Sequence, residues 1–228
     1  MTLPLDAASE RLLHTVDALS DVDFAGPSLC DGWTRAHLVA HLALNAEALT
    51  GVLRGVRDGV PTTMYVSVEA RDEDILALAP ASPAELRERL RAAVAGFAEV
   101  ADVATGLGPD VTFERTPGGR VSPVAAVPDF RRSEVEIHHA DLDTGYTPAD
   151  WPPDFALAVL TASAERYDGP GFHVVATDEP ARWAFGSPAA DAPTVSGPAS
   201  ALAWWSTGRE AGSLLSSTNG SLPTLEGR

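Results

Sequence analysis

Cysteine is nearly absent, with Cys30 the one thiol in 228 residues. A single cysteine excludes an intrachain disulfide framework, so stability must come from a packed core, and a reducing, cytoplasmic setting is expected. Positive charge is also scarce: 16 basic residues, all arginines, stand against 32 acidic ones, for a formal net charge of −16. Nucleic-acid binding depends on Lys and Arg neutralising phosphates, so this balance argues against such a partner. No run approaches the ~18 apolar residues of a membrane span. The opening MTLPLDAASERLLHTVDAL lacks the basic stretch followed by an apolar one that marks a signal peptide, and reads as the start of a helix. No membrane partner is expected, and a monomer is the simplest assembly. What remains is a hydrophobic fraction of 45%, enough for one large core or two modest ones.

The first two-thirds reads as helices. Leu12, Leu13, Val16 and Leu19 recur at helical spacing within 6–20. Asp31 or Thr34 can cap a helix running to about Leu53. A loop over 61–80 carries a short helix in its second half. Ser82, Pro83 and Glu85 make a strong helix start. VTFERTPGGRVSPV alternates and turns at Gly118-Gly119, as a hairpin does. A fourth long helix is expected over 123–141. Four long helices predict an up-down bundle with a crossover, spanning 1–147. TPADWPPD, with three prolines in eight residues, reads as a linker. A smaller α/β domain over 148–228 follows: a helix at 153–167, extended pieces at FHVVAT and ARWAF, a turn-rich PTVSGPAS, a helix ALAWWSTG and a polar, partly disordered tail. The fold class is therefore α plus α+β.

Glu134 and His138 stand four apart in FRRSEVEIHHADLDTG, so on a helix they share a face. His41 stands far upstream in WTRAHLVAHLALNAEAL. Projected at ~100° per residue, it falls in the arc of Leu38, Leu44, Asn45 and Ala48, and Glu134 and His138 fall among Val127, Phe130, Ile137 and Leu142. Glu136, Arg132 and Asp143 project to the opposite side. One carboxylate and two imidazoles directed into a bundle core suit a divalent metal of the zinc type with one position left open. The alternative for Glu134 is an ion pair with Arg131 or Arg35, because an inward carboxylate must meet a cation, a proton or a metal. Asp141 lies on the His138 face and can accept that imidazole's second N–H. His37 shares the side of His41, one turn earlier. His139 reads as packing or surface, and His14 and His173 have no partner pattern. Cys30 reads as a small loop residue, with a reactive thiol as the alternative. Arg209, in STGRE, is a lone cation after an apolar helix, suited either to the surface or to bidentate binding of a carboxylate.

WTRAHLVAHLALNAEAL, PTTMYVSVEARDEDI, RRSEVEIHHADL, and TGRE followed by LLSST together resemble the mycothiol-dependent maleylpyruvate isomerases, over nearly the whole chain. The resemblance implies a DinB-like four-helix bundle carrying a metal, with a smaller α/β domain behind it. It places the metal ligands on His41, Glu134 and His138 and a functional arginine on Arg209. It implies zinc and mycothiol as cofactors, and cis–trans isomerisation of maleylpyruvate to fumarylpyruvate in aromatic breakdown through gentisate. A carbon–carbon double bond rotates only after a thiolate has added to it, and elimination then restores the trans alkene. A thiol with a pKa near ~8.5 needs a Lewis acid to supply that thiolate at neutral pH. Two other classes share these residues: a mycothiol S-transferase or related thiol-conjugating enzyme, and a non-catalytic metal-binding or interaction bundle.

Overall fold

The computed structural model describes residues 4–60, 62–210 and 212–225. The chain divides into two compact units, Met1–Gly145 and Tyr146–Arg228.

Unit 1 contains α1 (Pro4–Ala18), α2 (Arg35–Arg57), α3 (Val68–Leu78), α4 (Pro83–Ala98) and α5 (Val127–Asp141), with a hairpin of β1 (Thr112–Glu114) and β2 (Val121–Pro123) before α5. The long helix at the centre is α2, packed against α3, α4 and α5, while α1 packs against α4 and α5. Its length and composition (23 residues, hydropathy 1.2) would suit a bilayer span, but 67% of that window is buried inside the fold, so here its apolar surface makes the bundle core. Leu38, Leu42 and Leu53 of α2, Leu12 of α1 and Leu90 of α4 are all 0% exposed in that core.

Local chemistry sets the helix ends. Of the two cap candidates, Thr34 is the N-cap of α2. His37 turns back to it, with Nδ1 2.7 Å from the Thr34 hydroxyl and 3.3 Å from its backbone N–H, so this histidine closes the helix start. At α4, Ser82 and Glu85 form a reciprocal capping box with Pro83 in the first turn. The hairpin pairs Phe113 with Ser122, and Gly118 takes φ 69° in its turn, a conformation that costs glycine nothing. This hairpin also holds the 62–67 loop, because Met64 and Tyr65 donate their backbone N–H groups to the carbonyls of Glu114 and Arg115.

One sequence expectation fails on α5. Glu136 is not on a solvent face: it is 0% exposed and accepts a 2.7 Å hydrogen bond from Arg11 of α1. His139, read as packing or surface, is a packing residue, its Nε2 2.8 Å from the Thr15 hydroxyl. The reason is that α5 lies between α1 and α2 and is covered from two directions, which a single apolar arc does not reveal.

Unit 2 has α6 (Pro153–Arg166), β3 (Phe172–Ala176), β4 (Arg182–Phe185), β5 (Thr194–Gly197), α7 (Ala199–Ser206) and β6 (Ser216–Ser217). The sheet order is β4-β3-β5-β6, with β3 and β5 parallel and the other pairs antiparallel. Phe172 and Phe185 stack at 4.9 Å across the β3–β4 pair, and Trp205 of α7 meets Phe172 edge-on. The turn-rich PTVSGPAS contains strand β5, and the polar tail supplies β6. Neighbouring strands confer order that composition alone did not suggest, and 226–228 lie outside the described residues.

Leu90→Ala should destabilise unit 1 by about 2–5 kcal/mol, the usual cost of a cavity in a closed core. The check is chemical denaturation followed by circular dichroism, where the midpoint should fall with the slope unchanged.

Candidate metal centre and its family

Two helices bring the candidate ligands together. From α2, His41 is 3% exposed and points its Nε2 at Glu134 Oε2 of α5, 2.8 Å away. One turn along α5, His138 Nε2 lies 3.4 Å from the same oxygen. The two imidazoles meet edge-on, with centroids 4.8 Å apart and planes at 90°. Trp33 meets His41 edge-on at 5.6 Å. All three donor atoms lie within 4.8 Å of one another, and among the described residues this group closes at three members. Glu134 keeps 27% exposure and His138 18%, so the cluster is open to solvent on one side.

Two arginines hold the helices in this register. Arg35, in the first turn of α2, donates to the carbonyls of Leu142 and Asp143 at the end of α5, at 2.6 and 3.0 Å. Arg131, in the middle of α5 and 1% exposed, donates to the Leu42 carbonyl and the Asn45 side chain of α2, at 2.9 and 2.8 Å. Neither forms the ion pair with Glu134 that the sequence left open. The carboxylate's partners in the structure are the two imidazoles.

The hydrogen bonds assign the protons. The Nδ1 of His138 faces the buried Asp141 carboxylate at 2.8 Å, and the Cys30 sulfur lies within 4.8 Å of the donor atoms of both. Burial pushes the His138 pKa down. Asp141, Cys30 and Glu134 outweigh it and hold the pKa well above the ordinary histidine value. Burial likewise raises Glu134, and bonds from His138 and His41 overcome it and keep the carboxyl ionised far into acid. For His41 burial wins, and its pKa is lowered despite Glu134. The cluster is thus a carboxylate between an imidazolium and a neutral imidazole. A divalent cation would replace the two N–H groups aimed at Glu134, and the donor set of two nitrogens and one oxygen suits zinc. Asp141 already fixes the tautomer that leaves His138 Nε2 for the cluster.

The sequence profile of the mycothiol maleylpyruvate isomerase N-terminal domain matches residues 5–143. The chain belongs to that family. The crystal structure of the mycothiol-dependent maleylpyruvate isomerase is similar to it at 27% identity and a TM-score of 0.85, covering 98% of both chains. The structure of a histidine-to-alanine mutant of that enzyme is similar at 26% identity, with the same TM-score and coverage. No curated protein gives a significant match to the sequence.

The remaining candidate residue, Arg209, lies in unit 2 just after α7. Its Nη1 donates to the Thr207 carbonyl at 3.1 Å and its guanidinium sits 5.1 Å over the Trp204 ring. Two residues near the cluster escaped the sequence. Cys30 reads as a loop residue, yet its sulfur joins His138 and Asp141 in a second group of donors. Arg71 of α3 reaches His41, with Nη2 3.3 Å from Nδ1. Cys30 offered no spacing signal. For Arg71 the MYVSVEAR stretch was a signal, but of family only.

Two outcomes follow from the proton assignments. Asp141→Asn should weaken retention of a divalent metal by about 10–100-fold, as loss of a partner behind a ligating histidine does, measured by chelator competition. A metal must also displace the His138 proton, so affinity should climb with pH up to the raised pKa of His138 and level off above it. Calorimetry in two buffers of different protonation enthalpy should find about one proton released near neutrality.

Proposed function

We propose that this chain is a mycothiol-dependent isomerase that converts maleylpyruvate to fumarylpyruvate at a zinc centre held by His41, Glu134 and His138. The observation that carries the reading is the convergence of these donors, partly open to solvent, in a member of this family. The three-donor group favours a catalytic centre over a purely structural one, since structural zinc takes four protein ligands. The isomerase reading is preferred to thiol conjugation because both similar solved structures are maleylpyruvate isomerases. Such a reaction belongs to gentisate breakdown in a reducing cytoplasm.

When bound, zinc would lower the pKa of a thiol ligand, and mycothiol would supply the nucleophile whose addition and loss lets the double bond rotate. The protein's part is positional. His41, Glu134 and His138 set the ligand directions, Asp141 fixes the His138 tautomer, and Trp33 meets His41 edge-on. Arg209 is proposed to stabilise the negative charge that develops on the substrate when the thiolate adds. Cys30, though beside His138, is not the nucleophile in this scheme, because the thiol comes from the cofactor.

His41→Ala should lose zinc and turnover together while keeping its helical content, because packing supplies most helix stability. Metal analysis beside circular dichroism checks this, and stoichiometric zinc in the variant would contradict the ligand assignment. Turnover of maleylpyruvate should require added mycothiol and survive Cys30→Ser. Arg209→Ala should cost about 2–4 kcal/mol of transition-state stabilisation with zinc content unchanged, read from kcat at saturating thiol.

A further inference from the structure

Arginines gather beside the cluster in a chain whose net charge is −16. Arg71 is 20% exposed. Its Nη2 faces His41, its Nη1 lies 2.7 Å from Asp72, and its Nε is buried with no hydrogen-bond partner among the described residues. The Arg115 guanidinium lies 5.6 Å over the Tyr65 ring. Arg131 spends Nη1 on Leu42 and Asn45, while its Nη2 is buried with no hydrogen-bond partner among the described residues. All three share one neighbourhood. Tyr65 feels the charges of Glu134, Arg71 and Arg115, and Arg131 feels those of Glu134 and Tyr65. Buried guanidinium N–H groups are costly to leave unsatisfied, and two of them beside one cluster favour an anionic acceptor there.

The present partners of Arg71 hold it weakly. Asp72 is its neighbour in sequence and 53% exposed, so that ion pair is screened by water. The contact with His41 depends on tautomer. In the structure His41 Nε2 donates to Glu134, so Nδ1 is free to accept from Arg71. A neutral imidazole that turns Nε2 to a metal carries its proton on Nδ1, and two donors then face each other. A metal on Nε2 would therefore free Arg71 from His41, while its backbone stays fixed by α3, whose N-cap Ser67 accepts from Ala70 N–H.

We propose that Arg71 is a substrate-binding residue: in the metal-loaded protein its guanidinium takes a carboxylate of a small dicarboxylate substrate, with Tyr65 beside it. The inference rests on the metal-centre reading above and adds a residue of unit 1 to it. It also separates two tasks. Arg71 holds charge already present in the ground state and so should govern KM, whereas Arg209 is proposed to meet charge that develops and should govern kcat. The planar fork suits a carboxylate in a way an ammonium does not, so Arg71→Lys should recover only part of the binding.

The test is calorimetric titration of the zinc-loaded full chain with maleate, a dicarboxylate that needs no thiol to bind. Wild type should bind it. Arg71→Ala should bind at least about tenfold more weakly, as loss of a hydrogen bond to a charged group predicts, with zinc content unchanged and Arg71→Lys in between. In the isomerase assay the same variant should raise KM for maleylpyruvate and leave KM for mycothiol alone. Equal maleate binding by wild type and Arg71→Ala overturns the proposal. So does a loss of zinc that accounts for the loss of binding, or a wild type that binds no maleate. If wild type binds maleate through Arg71 yet does not isomerise maleylpyruvate, the proposed reaction fails and the role of Arg71 stands.

Discussion

The Glu134 carboxylate, drawn into the bundle and bonded to two imidazoles, is the contact on which the rest of unit 1 depends. A carboxylate loses hydration when a helix face is buried, and only a matched positive partner makes that tolerable. Here the partner is split between His138 on the same helix and His41 on another. The α2–α5 spacing must therefore be held to hydrogen-bond tolerance. Arg35 ties the start of α2 to the end of α5, and Arg131 ties the body of α5 to the middle of α2. Because the helices are clamped at two separated points, the imidazoles are held against the carboxylate, and a cation entering the cluster would find the donor atoms already aimed.

The two histidines are treated in opposite ways. Behind His138 stands a buried carboxylate, which strengthens that imidazole as a donor and favours its protonated form in the absence of metal. Behind His41 stands a guanidinium, in a setting where burial already favours the neutral ring. One imidazole is therefore electron-rich and anchored. The other is joined to a cation whose contact depends on where the imidazole proton sits. This asymmetry ties the His41–Glu134–His138 cluster to Arg71 of α3.

Much of this was legible along the chain. Apolar spacing, the Ser82-Pro83-Glu85 start and the Gly118-Gly119 turn each act within a few residues, so they placed α1, α2, α4 and the hairpin close to where they lie. The spacing of four between Glu134 and His138 could be read because helix geometry alone puts them on one face. Glu136, with the same local pattern as a solvated residue, was misread because Arg11 comes from 125 residues away. The strand β5 was hidden in a turn-rich stretch because its order comes from pairing with β3 and β6.

What the sequence determined by itself was therefore whatever depends on neighbours in the chain: helix periods, caps and turns, the acidic balance, and the pairing of one carboxylate with one imidazole on a helix. Only the tertiary structure decided that His41 completes that pair, that Glu134 meets imidazoles and not arginine, and that His37 is spent on a helix cap. It also set Cys30 and Arg71 around the cluster. The physical reason is reach. A hydrogen bond closes over about 3 Å, and which distant side chains come within it is settled by how whole helices pack, a property no short stretch of sequence carries.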